Sequence, residues 1–208
     1  WKSFFLFMKR KNTENSVVFY SQGNSYKPFL FPLIEEILHK YNLNIYYLTS
    51  DINDSILLFK NINFTPYYIG NGLALTLSFY FLKARIMVMT MPDLNLFHLK
   101  KSIYPVHYIY VQHSLVSSHM VYREGAFDHF DTILCSGQHH ISETREWEKI
   151  NNLPAKKLIK HGYIPLDTII KEKKDASFMC KTESKQFSVL IAPSWGINGI
   201  IHQGSEIL

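Results

Sequence analysis

Cysteine is scarce in this sequence. Only Cys135 and Cys180 occur, and there is no Cys-x-x-Cys pair, which excludes a disulfide scaffold and a cysteine-based zinc module and fits a reducing compartment. Cys135 lies inside an apolar run and reads as a small buried hydrophobe. No metal-ligand spacing is present. His139 and His140 are adjacent, so they are expected to point to different sides of either a helix or a strand, a poor metal pair. No metal and no cofactor are therefore expected. Long hydrophobic runs are missing too: the longest, Leu73 to Leu82, is interrupted by Thr76 and Ser78 and is about half the ~20 residues of a membrane span. Repeats and low-complexity tracts are also lacking, which excludes a solenoid.

What is present is a core. Hydrophobic residues make up 47% of the 208, and aromatics 15%, enough for a folded globular chain with one core or one and a half small domains. The chain opens on Trp1 and stops at Leu208, shortly after an apolar run, and it reads as a fragment of something longer. The formal net charge is +5, and much of it is local. Residues 1–11 carry Lys2, Lys9, Arg10 and Lys11 without an acid, and 156–185 holds eight lysines against Asp167, Glu172, Asp175 and Glu183. A basic surface favours phosphate-rich partners; the plain alternative is a solvated lysine face. Nucleic acid is not expected, because the aromatics sit in the apolar runs rather than between the lysines. The opening Trp1–Met8 stretch before Lys9-Arg-Lys11 reads either as a membrane-contacting segment or as part of a core.

Short, nearly continuous apolar runs recur: 17–20, 45–48, 66–69, 86–89, 106–111, 132–135 and 189–192, with a further short strand at Leu158-Ile159. Continuous rather than alternating runs mark strands covered on both faces, as in a parallel sheet. Between the first two, Leu30, Leu33, Ile34, Ile37, Leu38 and Tyr41 form an apolar helical stripe, with Pro28 and Pro32 placed in the first turns and Asn42 as a stop. A second helix is predicted over His139 to Ile150, with Glu143, Glu146 and Glu148 on its wet side. The segment Leu73 to Phe81 alternates like a strand, yet its place between two strands calls for a crossover helix, and it is assigned as helix. This order predicts an α/β doubly wound, parallel-sheet, Rossmann-like domain over residues 16–168. Residues 1–15 would precede it as a membrane-contacting or truncated leader, 169–187 would follow as a linker, and 188–208 would begin a second, truncated nucleotide-binding domain.

Ligands of such sheets bind beyond the carboxyl ends of the strands. After the first run comes Ser21-Gln-Gly23-Asn-Ser25, a loop that offers amides and a helix start to a phosphate or else is an ordinary tight turn. After the fifth comes Gln112-His113-Ser114; His113 can take a proton from a hydroxyl near neutral pH or simply cap a helix. Arg123 follows, suited to a phosphate or to a surface ion pair. After the sixth comes Ser136. After Leu158-Ile159 come Gly162, which suggests close backbone approach, and Asp167, a cap for the segment that follows.

The series His113-Ser114, Phe127-Asp128, Phe130-Asp131, Ser136, Gly162-Tyr163 with Asp167, then Ala192-Pro-Ser-Trp195 resembles the CDP-glycerol glycerophosphotransferase family of teichoic-acid primases and polymerases. The resemblance covers residues ~105–196. It implies the N-terminal, acceptor-side half of a GT-B-like two-domain enzyme without an essential metal, located at the cytoplasmic face of a bacterial membrane. His113 would be the general base, with Ser114, Ser136, Gly162 and Asp167 binding substrate; Ser21, Gly23 and Arg123 join the substrate-binding candidates from their positions alone. The partners implied are CDP-glycerol or a related nucleotide-activated donor, a lipid-linked polymer acceptor and the membrane surface. Ser114 stands where the family has glycine; Pro165 falls one place late, and the arginine that follows it in the family is missing. Two other readings stand beside this one: a GT-B nucleotide-sugar glycosyltransferase of capsule or lipopolysaccharide synthesis, and a non-catalytic nucleotide-binding module. On the first reading, this chain alone is expected to lack full activity.

Overall fold

A computed structural model describes residues 1–176 apart from 12, 14, 97 and 98. The run at 189–192, Cys180 and the motif at Ala192–Trp195 lie outside the described residues. The elements are α1 (Lys2–Met8), β1 (Val17–Ser21), α2 (Lys27–Lys40), β2 (Ile45–Thr49), β3 (Phe64–Tyr68), α3 (Leu73–Tyr80), β4 (Ile86–Met89), β5 (His107–Val111), α4 (Ser118–Val121), β6 (Thr132–Cys135), α5 (Gln138–Ile150), β7 (Lys157–Lys160) and α6 (Ile164–Ala176). Short 3-10 turns at Asn24–Tyr26 and Ser55–Leu58 complete the set.

Seven strands form one sheet in the order β3-β2-β1-β4-β5-β6-β7, every pair parallel. The chain is therefore a doubly wound α/β domain of the Rossmann-like kind. Alternate residues of each strand feed two cores. Val18 and Tyr20 of β1 join Phe79, Met87, Met89 and Tyr108 on one face; Val17 and Phe19 join Leu30, Ile34, Ile45 and Val88 on the other. All five residues of β1 are buried, which is why the runs are continuous rather than alternating. Each such side chain contributes about 1.5–3 kcal/mol by leaving water.

Leu30 and Ile34 carry the inner face of α2, as the stripe predicts. Tyr41, the last residue of that stripe, is extended and 59% exposed. The helix starts directly from the 3-10 turn, at Lys27, so Pro28 sits at its beginning but Pro32 falls inside it. There Pro32 cannot bond the Pro28 carbonyl. The alternating segment is the helix α3, whose Leu75 and Phe79 are buried. On α5, Glu148 corrects the wet-side expectation: it is 6% exposed, and its carboxylate accepts from Arg145 Nη1 at 2.5 Å and from the Lys156 amide at 2.8 Å. The stretch expected as a linker from 169 is helical through Ala176. Contacts divide the chain at Lys171/Glu172.

Helix α1 belongs to the domain, since Phe7 is fully buried and its ring meets Tyr67 at 5.5 Å. Within the described residues the sheet ends at β3 and β7. Pro66 stands in the middle of β3, and β7 carries Lys157 and Lys160, both exposed.

Candidate functional site

The chain leaves β1 in one direction to build β2 and β3, and β4 then pairs on β1's other side. Ligands of such sheets bind at this reversal, above the carboxyl ends of the strands, here β1 and β4. Two loop systems border it.

The first follows β1 and β2 and is closed upon itself. The Ser21 hydroxyl, fully buried, donates to the Gly23 carbonyl at 2.8 Å and accepts from the Gly23 amide at 3.1 Å. The Asn24 amide donates to Asp51 Oδ2 at 3.4 Å, and the Asn24 side chain accepts from the Ser55 hydroxyl at 2.7 Å. The Tyr47 hydroxyl donates to Asp54 Oδ2 at 2.7 Å, and the Ile56 amide donates to Asp54 Oδ1 at 3.0 Å. Gly23 lies against Asp51; a Cβ there would come 3.0 Å from Asp51 Oδ2. The amides expected to meet a phosphate are thus engaged, and a carboxylate stands beside them. Ser21 and Gly23 form an internal turn in this structure.

The second system follows β5, and His113 is its centre. The ring is half-buried. Its Nδ1 lies 3.3 Å from the Tyr110 hydroxyl and its Nε2 lies 3.5 Å from the Tyr122 hydroxyl. Tyr26 and Phe29, from the start of α2, present ring edges at 5.4 and 5.9 Å. Burial pulls the imidazole pKa below its ordinary value, opposed in part by a hydrogen bond with the Val111 carbonyl. The ring is therefore neutral at pH 7 and can accept a proton. Burial pushes both tyrosine hydroxyls up, and the two also bond each other; both stay protonated, and a neutral ring, with one acceptor nitrogen, takes a hydrogen bond from only one of them.

Other predicted residues fall at varying distances from this ring. The Ser136 hydroxyl lies 3.5 Å from the Gln112 carbonyl, beside the end of β5. Ser114 accepts from the Val116 amide at 3.4 Å. Gly162 donates to the Cys135 carbonyl at 3.2 Å, and the Tyr163 ring reaches Phe29 at 5.7 Å, so the β7 loop joins the same aromatic group. Gly162 needs glycine for a different reason from the one expected. Its φ is +90°, and a Cβ there would meet nothing within 4 Å, so the left-handed backbone, not close approach, selects it. Asp167 lies in the first turn of α6, exposed. Arg123 pairs with Asp93, Nε to Oδ1 at 2.6 Å. His139 is exposed and His140 buried, yet their rings do not diverge: they lie 3.9 Å apart, tilted 44°, at the start of α5, and His140 Nε2 bonds the Val116 carbonyl at 3.0 Å.

The sequence concealed several participants. Tyr26, Phe29 and Tyr110 surround His113, but in a chain this aromatic nothing separates them from core residues. Thr90 Oγ1 after β4 and Gln112 Oε1 after β5 are buried polar atoms without a hydrogen-bond partner, and their only signal was their place directly after an apolar run. His113 does not line the large cavity of this edge. That cavity, about 420 Å³, opens between residues 117–128 and α5, with Tyr122 as the ring shared by cavity and imidazole.

Among the described residues no group of three or more His, Cys, Asp or Glu side chains is placed to hold a metal, and no helix is long and apolar enough to cross a membrane. Searches of the sequence against known protein families and against curated proteins find no match.

Proposed function

We propose that this chain is the acceptor-side half of a CDP-glycerol-dependent glycerophosphotransferase, acting on a lipid-linked or polymer acceptor at the cytoplasmic face of a bacterial membrane. The observation that carries the reading is the half-buried His113 ring beyond β5, its two nitrogens 3.3 and 3.5 Å from the Tyr110 and Tyr122 hydroxyls. In the reaction, the imidazole takes the proton of an acceptor hydroxyl. That oxygen forms a bond to the β-phosphorus of CDP-glycerol, the bond from this phosphorus to the bridging oxygen breaks, and CMP leaves with the electron pair. Burial lowers the pKa of this base and favours its neutral, proton-accepting form, and the neighbouring hydroxyls hold the ring in position. The donor nucleotide is assigned to the segment from 188 onward and its continuation. The outer side of α1 supports membrane contact: Trp1, Phe5 and Leu6 are 65, 54 and 54% exposed, next to Lys2, Lys9 and Lys11.

The test uses the full-length protein with CDP-glycerol, CDP-ribitol and UDP-sugars in parallel, reading CMP against UDP release. His113→Ala is expected to lower turnover at least ~100-fold while the far-UV spectrum stays unchanged. Undiminished turnover in that variant removes the imidazole from the mechanism. Release of UDP rather than CMP transfers the enzyme to the nucleotide-sugar class.

A further inference from the structure

We propose that the cavity between residues 117–128 and α5 is a binding site for a small organic cation, an alkylated ammonium group. Its volume, about 420 Å³, is in the range of small-molecule pockets. Aromatic rings build one part of the wall. Tyr122 and Phe127 meet at 5.0 Å with 74° between their planes, making a corner, and Trp147 also lines the space. The Trp147 indole N–H donates to Asp128 Oδ1 at 2.9 Å, so the ring is held by its edge at the cavity wall.

Charge selects the occupant. Four carboxylates line the space, Glu124, Asp128, Glu143 and Glu146, against two cations, Arg123 and Lys156. Both cations are already committed: Arg123 to Asp93 at 2.6 Å, and Lys156, 6% exposed, to the Asp128 carbonyl at 2.9 Å. Two of the carboxylates are engaged as well, Asp128 by Trp147 and Glu143 by the Ser118 amide at 2.8 Å. Glu124 and Glu146 are exposed and accept from no group among the described residues. The cavity is thus net negative in a chain of formal charge +5. It repels phosphate and attracts a cation, and aromatic faces favour an ammonium wrapped in methyl or methylene groups over a hydrated metal ion. The proposal does not rest on the transferase reading, since binding is measured without turnover.

The test is calorimetric titration of the full chain with choline, with its neutral isostere 3,3-dimethyl-1-butanol, and with inorganic phosphate. Choline is expected to bind saturably at about 1 mM, the isostere at least about tenfold more weakly, and phosphate not at all. The double variant Glu124→Gln/Glu146→Gln is expected to lose about tenfold in choline affinity. Choline should also change the tryptophan emission of the wild-type chain, and Trp147→Phe should abolish that change. Equal binding of choline and its isostere would mean that the cavity recognises apolar shape alone and would overturn the proposal. Undiminished affinity in the double variant, or no saturable heat with any of the three, would overturn it equally.

Discussion

The loops after β1 and β2 and the segment after β5 occupy the same edge of the same sheet, yet they spend their polar groups in opposite ways. In the first, Ser21, Asn24, Asp51, Asp54 and Ser55 satisfy one another or the backbone around them. In the second, the hydroxyls that approach His113 do so at long distances of 3.3 and 3.5 Å, and exposed carboxylates line an open cavity next to Tyr122. A polar loop at the right place is therefore not a ligand loop until its donors are counted. The small, hydroxyl-rich turn after β1 stabilises the fold, while the aromatic stretch after β5 is the part left with chemistry to spare.

The largest effect that tests this contrast comes from Asp54→Ala. It removes the acceptor of the buried Tyr47 hydroxyl, which keeps its bonds with Ser21 and Thr49, and frees the Ile56 amide, and is expected to cost about 3 kcal/mol in urea unfolding. Glu143→Ala, which removes one acceptor from the Ser118 amide beside the cavity, is expected to cost only about 1 kcal/mol. Equal losses would erase the difference between the two regions. Next comes Gly23→Ala. The added Cβ meets Asp51 at 3.0 and 3.1 Å, and the loop must move for about 1–2 kcal/mol, visible as a lower thermal midpoint. An unchanged midpoint would show that the closed loop is looser than its contacts imply.

The smallest effect is one of pH. Burial lowers the pKa of His113, His129 and His140, and all three follow β5. Their unfolded forms therefore take up protons first as pH falls through the ordinary histidine value of about 6.5. Stability is full above that value and declines below it, until each folded pKa is passed. Urea unfolding at pH 7 and pH 5.5 should show this fall, and His129→Gln should reduce it. A fall that the variant leaves intact would place the acid sensitivity elsewhere.

Much of the fold was legible because burial on both faces leaves an unmistakable residue pattern. Ile86–Met89 and Thr132–Cys135 are strands at the bounds read from the sequence, and the others differ by one or two residues at either end. The segment 73–81 shows where pattern alone misleads. Its leucines and phenylalanines alternate, and only the need for a crossover between parallel strands identified the helix. Glu148 was misplaced because its burial depends on two partners, Arg145 and the Lys156 amide; the second is brought alongside only by the return of the chain toward β7. The site was legible in one residue, His113, through its position after a strand. Its neighbours were not, because Tyr26 and Phe29 meet it across some eighty residues of chain and nothing in the sequence separates Tyr110 and Tyr122 from core aromatics.

The outermost strands have a consequence for how copies of this molecule meet. The Ile69 amide bonds the Thr49 carbonyl on β2, so residues of opposite parity on β3, Pro66 among them, turn their nitrogens outward. A neighbour offering its own backbone to that border finds a donor deleted, and at the far border it finds the ammonium groups of Lys157 and Lys160. Among the described residues, ladder-like stacking, the first step toward fibrils, is thereby discouraged at both borders of the sheet.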